Sequence, residues 1–473
     1  MSQQNAPASS AGGVPGGRRG RPPGVVMALI GALVLALGVA ITQGLVPRGA
    51  PAPTDWTDAP AASYANGATL SWSLDVRELL GDPTARFSFG TNLDDAADDL
   101  RYGPVDAGSA WVFTASGEGG FFALGVDPAT GALLWKRERR LTSCVPTDSV
   151  GRLACVTADG PDGGRGAGSF ILLDANTGNE TRVAQWAAGA GMVVRAGTAL
   201  IVLSGNSTPG DGWAVTAYDL AGNQRWVSGI DFGEPADIVA PLNASSDLVA
   251  VLTMERSRVL DAQTGRLLAE GEGGKLQVGE ARTVYVPTAG DLKASDASVK
   301  ILRGYQATGV GPSGAVGVFR QRDEALELCE PADPDRCTTL VVPLSSVSED
   351  PAWEVAGRGY APLTDGLTTR IVGFDDGAVT YEAADSWMSR TLLAPGDVVA
   401  ESDWESHGDV RLVDPATGSR VASAALPGWV PVYRMPRRLM LMREPDINGF
   451  AAEVAVYAPA TERTGSILSL IHI

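Results

Sequence analysis

From Ala68 onward, apolar and polar positions alternate in short segments, the period-two pattern of half-buried β-strands. Thr69 to Leu74, Ala110 to Thr114 and Phe121 to Leu124 are read as strands on this basis. Leu200 to Leu203, Leu248 to Leu252 and the segment holding Val284 and Val286 are more continuously apolar and are read as inner strands. One turn keeps returning between such segments. It is Asp127-Pro128-Ala129-Thr130-Gly131, then Asp174 to Gly178, Asp261 to Gly265 and Asp414 to Gly418, with a shorter version from Asp219 to Gly222. An Asp side chain can accept hydrogen bonds from the amides that follow it. Pro or Ala suits the next corner, and Gly supplies the positive φ that closes the turn. Trp135 and Trp226 stand four residues after the glycine of two copies and are read as plugs between neighbouring sheets.

Successive copies from Asp127 to Asp261 lie 42 to 47 residues apart, the period of a four-stranded propeller blade. The expected fold is all-β: a β-propeller of about eight four-stranded blades, with seven as the alternative, over residues 67–467. One such sheet cannot bury both faces, whereas a closed ring leaves no terminal unit bare. Closure requires strands from both chain ends in one blade, and the strand around Trp72 is the expected N-terminal contributor. Weaker turn copies are read at Phe374 to Gly377, near Lys293 to Leu302 and Ala325 to Val342, and at Val454 to Thr461, where Ala458 stands in place of Asp.

The N-terminal stretch follows other rules. Residues 1–23 are rich in Ser, Ala, Gly and Pro without apolar periodicity, which reads as a disordered tail. Residues 24–46 are almost wholly apolar, long enough for a transmembrane signal-anchor helix, and Arg18, Arg19 and Arg21 would place the preceding tail in the cytoplasm. The expected localisation is therefore the plasma membrane, single-pass, with the propeller extracytoplasmic. Residues 47–66 form a Pro/Ala-rich linker. The ending Leu468 to Ile473 resembles the translation of a sequencing adapter and is set apart from the fold.

A formal net charge of −18 argues against nucleic acid or anionic lipid as the principal partner. Of the four cysteines, Cys144 and Cys155 bracket one turn and Cys329 and Cys337 another, so two local disulfides are expected in an oxidising compartment. No Cys-x-x-Cys offers zinc or redox chemistry. The two histidines are His407 and His472. His407 sits in Trp404-Glu405-Ser406-His407-Gly408-Asp409, but sequence neighbours on one strand or loop point apart and do not assemble a triad. Asp94, Asp95, Asp98 and Asp99 lack the spacing of a calcium loop and are read as solvated. The loop from Asp159 to Arg165 is a candidate contact surface. No catalytic, cofactor-binding or metal-ligating residue is assigned.

The recurring Asp-x-x-Thr-Gly-x-x-x-Trp pattern resembles the pyrroloquinoline-quinone-like propeller superfamily, across about residues 68–467 and most clearly over 110–270 and 408–424. The resemblance implies a propeller that is either a quinone-dependent dehydrogenase or a non-catalytic binding module. Those dehydrogenases share a disulfide between adjacent cysteines over the cofactor. No two cysteines are adjacent here, and there is no Cys-x-x-Cys-His for haem. The expectation is a membrane-anchored, non-catalytic scaffold or ligand-binding module of the bacterial cell envelope, without a cofactor. Its partner would be an envelope protein or extracellular ligand. The alternatives are a quinone-dependent dehydrogenase and a sensory ectodomain that signals through a membrane partner.

Overall fold

The computed structural model describes residues 64–88 and, with interruptions, residues 104–460. These residues form nine hydrogen-bonded sheets, most of them antiparallel meanders of four strands, and the architecture matches a β-propeller. A representative unit has Ala190–Ala196, Ala199–Gly205, Trp213–Asp219 and Gln224–Ile230 side by side in chain order. Burial follows position. The second strand has neighbours on both faces and both edges, so Ala199 through Leu203 are all buried. The outer strand shows mostly exposed side chains, as in Leu133–Glu138, where Trp135 alone is buried.

The cores lie between successive sheets. One cluster joins Trp135 and Val112 to Cys155, Ile171 and Leu173 of the next sheet, a second joins Val156 and Phe170 to Val202, and a third joins Ile201 and Val215 to Val249 and Val251. Inner strands are also fastened to each other. The Ser143 hydroxyl donates to Val193 O at 3.0 Å and accepts from Val193 N at 3.2 Å, so a buried polar group is satisfied across the sheet interface.

The two ends of the described chain meet in one sheet. Ala68–Asp75 pairs antiparallel with Glu453–Pro459, which pairs in turn with Leu439–Arg443. Tyr64–Asn66, placed in the linker by the sequence, form a 3-10 turn that belongs to this sheet. Tyr64 is fully buried, donates to Tyr457 O at 2.8 Å and accepts from Leu439 N at 2.8 Å. Among the described residues the last strand of the closing sheet ends at Pro459, and residues 468–473 lie outside the described residues.

Two expectations are corrected. The single-pass membrane localisation is overturned, because among the described residues no helix is long and apolar enough to cross a membrane. The α-helix at Val76–Leu80 has five residues, or about 7.5 Å against the roughly 30 Å of a hydrocarbon core. Residues 1–23, 24–46 and 47–63 lie outside the described residues. The second correction concerns Lys293 to Leu302, which is not a hairpin. Lys293–Ala294 adds to the edge of Leu267–Glu272, whereas Lys300–Arg303 pairs in parallel with Thr283–Val286 of the next sheet.

Candidate functional site

Each signature turn is held by its own aspartate. Asp127 Oδ1 accepts from the amides of Ala129 and Thr130 at 2.7 and 3.2 Å, and Gly131 N donates to Asp127 O at 2.8 Å. Asp174 and Asp261 repeat this pattern, with Gly178 and Gly265 closing their turns. Asp414 accepts from Ala416 N, and Gly418 closes onto Asp414 O. In the short version Asp219 accepts from Ala221 and Asn223, and Gly222 closes the turn.

The tryptophans link one sheet to the next. Trp135 lies on Gly178 and donates from Nε1 to Ala175 O at 2.6 Å, while Trp226 lies on Gly265 and donates to Ala262 O at 3.1 Å. Trp72, in the closing strand, makes the same pair of contacts with Gly131 and Pro128 O, the latter at 3.1 Å. Val183 takes the corresponding place over Gly222. Removing a buried aromatic of this kind costs about 3 to 5 kcal/mol.

Asp261 is the most constrained of the aspartates. Burial pushes its carboxyl up, but hydrogen bonds from Arg282 and Thr264 outweigh burial and hold it below the ordinary value. Arg282 Nη2 reaches Asp261 Oδ2 at 2.7 Å from a backbone at φ 58°, an uncommon conformation for a non-glycine residue.

Two polar grooves open at sheet edges. The first, about 280 Å³, is lined by Arg137, Glu138 and Arg139 of one outer strand and connection and by Gly178, Asn179 and Glu180 of the next sheet. Arg139 pairs with Glu180 at 2.9 Å, and Arg137 Nε donates to Gly178 O at 3.3 Å. The second, about 250 Å³, lies at the closing sheet and is lined by Arg77, Arg86, Arg443, Ala452 and Glu453. Glu453 pairs with both Arg77 at 2.8 Å and Arg443 at 3.0 Å. The Arg77 guanidinium, hydrogen-bonded to Asp75, holds that carboxyl below its usual range and is itself pushed up.

Cys144 and Cys155 face each other across adjacent strands and are joined in a buried disulfide. Cys337 is disulfide-bonded, and its register partner is Cys329. His407, His472, the aspartates at 94, 95, 98 and 99, and the loop from Asp159 to Arg165 lie outside the described residues.

No family model and no curated protein matches the chain. Among solved structures, BamB from Moraxella catarrhalis is 15% identical with a TM-score of 0.43, covering 82% of this chain and 99% of that one. A europium-containing methanol dehydrogenase is 10% identical with a TM-score of 0.46, covering 84% and 94%. Quinohemoprotein alcohol dehydrogenase ADHIIG from Pseudomonas putida HK5 is 11% identical with a TM-score of 0.42, covering 84% and 77%. Solved members of the pyrroloquinoline-quinone-like propeller superfamily are similar to this chain. Similarity at such identity assigns no activity.

The disulfide at Cys144 spans a separation of 11 residues and is buried between strands, rather than joining neighbours in a loop. Among the described residues no group of three or more His, Cys, Asp or Glu is gathered for a metal ion.

The sequence reading missed Trp72 as an inter-sheet plug. It also missed the basic run Lys136-Arg137-Glu138-Arg139-Arg140 beside the first groove. A charge scan would have found that run, since Lys136 is one of four lysines in an acidic chain.

Proposed function

We propose that the chain is a non-catalytic propeller of about eight blades that acts as a protein-interaction scaffold or binding module. The blade number takes the three-stranded sheet spanning Gln277 to Arg303, with its parallel pair, as a wedge between blades. The supporting observation is the use the fold makes of its repeat residues. Asp127, Asp174, Asp219, Asp261 and Asp414 are committed to turn amides, the matching glycines to turn closure, and Trp135 and Trp226 to sheet-to-sheet packing. Among the described residues the rim offers shallow, polar grooves and exposed outer strands, suited to a macromolecular surface more than to an enclosed small ligand. The Cys144–Cys155 disulfide supports a working compartment in which thiols are oxidised.

The test is direct. Purified protein mixed with pyrroloquinoline quinone and calcium is expected to show neither stoichiometric cofactor binding nor dye-linked alcohol oxidation. Either result would overturn the non-catalytic reading. Proximity labelling by the protein in cells is expected to give a reproducible partner set above that of an inert control fusion.

A further inference from the structure

We propose that the outer edge of strand Leu133–Glu138, together with the groove it shares with Gly178, Asn179 and Glu180, docks an extended acidic segment of a partner protein. This inference rests on the interaction-scaffold reading and specifies the surface and the chemistry of the partner.

The strand is the last in its sheet, and among the described residues nothing is hydrogen-bonded to its outer edge. It is also held firmly, because Trp135 in its middle is buried and bonded to Ala175 O at 2.6 Å. An edge strand with free backbone groups is a template for one more strand. The same molecule already uses that geometry elsewhere. The outer strand Leu267–Glu272 carries Lys293–Ala294 as an added antiparallel strand, in register Ala269 with Ala294 and Glu270 with Lys293.

The side chains say what kind of strand fits. Leu133, Leu134 and Phe121, at 37, 42 and 38% exposure, are three of the seven exposed large hydrophobics among the described residues, so one sheet carries an unusual share of them. Lys136 and Arg137 follow, and among the described residues neither has a carboxylate within ion-pair distance. Arg139 and Arg140 continue the basic run. Glu138 interrupts the run and Glu180 pairs with Arg139, so against these two carboxylates the four cations leave the edge net positive in a chain of net charge −18, which steers and orients an acidic segment. The same cations repel a second copy presenting the same edge, which argues for a different partner over self-pairing.

The probe is a fluorescein-labelled peptide of about ten alternating Val and Glu residues, the length of one added strand, with a Val–Lys peptide as its control. By anisotropy, the Val–Glu peptide is expected to bind saturably and to weaken as salt rises. The double variant K136E/R137E should lose about tenfold in affinity and turn its preference to the Val–Lys peptide. K136Q/R137Q should lose affinity without reversing preference. Arg225→Glu, on the outer strand Gln224–Ile230 two sheets further on, should leave binding as it is, and far-UV spectra and melting curves check that each variant is folded. Equal binding of both peptides, unchanged binding by K136E/R137E, or no saturation by about 1 mM overturns the proposal. Proximity labelling separates the two levels of argument. A partner set that K136E/R137E retains sinks the edge inference alone, whereas a wild-type set no different from the control sinks the scaffold reading as well.

Discussion

Gly178 and Gly81 share a backbone conformation, at φ 69° and 68°, but not a neighbourhood. A Cβ on Gly81 would meet nothing within 4 Å, while one on Gly178 would fall 2.7 Å from the Trp135 ring. Gly81→Ala should therefore cost only about 1 kcal/mol, the left-handed backbone penalty. Gly178→Ala should cost about 2 to 4 kcal/mol, because ring overlap adds to the same penalty. Urea denaturation of the pair checks this, and equal losses would show that the indole yields freely. Acid sensitivity also has a residue-level source. Amide and hydroxyl bonds from Ser298, then the Arg266 guanidinium, pull the Asp296 carboxyl down to about 2 from an ordinary 3.8. Its stabilising contribution is present above pH 3.8 and is lost as pH falls through about 2. Asp296→Asn should thus lower the melting temperature at pH 6 and converge on wild type near the acid limit. A difference that persists unchanged into acid counts against this assignment. At this scale the turn residues were legible, because an Asp accepting amides two and three residues ahead is local chemistry. Trp72 and Tyr64 were not, since they bond to Pro128 and Tyr457, 56 and 393 residues away.

Strands and hairpins were read where their partners are adjacent in sequence, and misread where they are not. Gly120–Val126 and Leu133–Glu138 meet across a self-contained turn, so periodicity and the Asp-to-Gly spacing suffice to pair them. Lys293–Ala294 and Lys300–Arg303 have the composition of a hairpin but join different sheets. Their choice is made by the free edge of Leu267–Glu272 and by Thr283–Val286, and no local pattern records it. Cysteine pairing belongs with the legible elements, since Cys144 and Cys155 oppose each other across one hairpin. With a separation of 11 residues, that bond should contribute about 2 to 3 kcal/mol in the chain-entropy description. The variant C144A/C155A is expected to lose this amount by denaturant melts while keeping its far-UV spectrum. Wild-type stability in that variant would mean that the strand pair alone fixes the hairpin.

In the whole molecule, sequential packing makes closure the decisive joint. The sheets containing Trp135, Ile171, Ile201 and Val251 are stacked in chain order, each through a core shared with the next. Among the described residues no strand follows Glu453–Pro459, and Ala68–Asp75 from the other end completes that sheet. The repeat explains why that strand carries a tryptophan. The final hairpin copy, with Ala458 in place of Asp, is followed by no outer strand among the described residues, and Trp72 supplies the missing plug on Gly131. Arg438 reinforces the joint by donating to Pro128 O at 2.7 Å. A chain beginning at Val76 should accordingly open at the seam first, because stability in stacked repeats is a sum of nearest-neighbour terms. Hydrogen exchange should show lost protection in Glu453–Pro459 and Leu439–Arg443, with Ala199–Gly205 retaining its own. A peptide spanning residues 64–75, added in trans, should restore protection to Glu453–Pro459. Retained protection there without the peptide would contradict the closing role of the strand. Uniform loss everywhere would instead make closure the condition for every sheet, and restoration by the peptide would then have to be equally global.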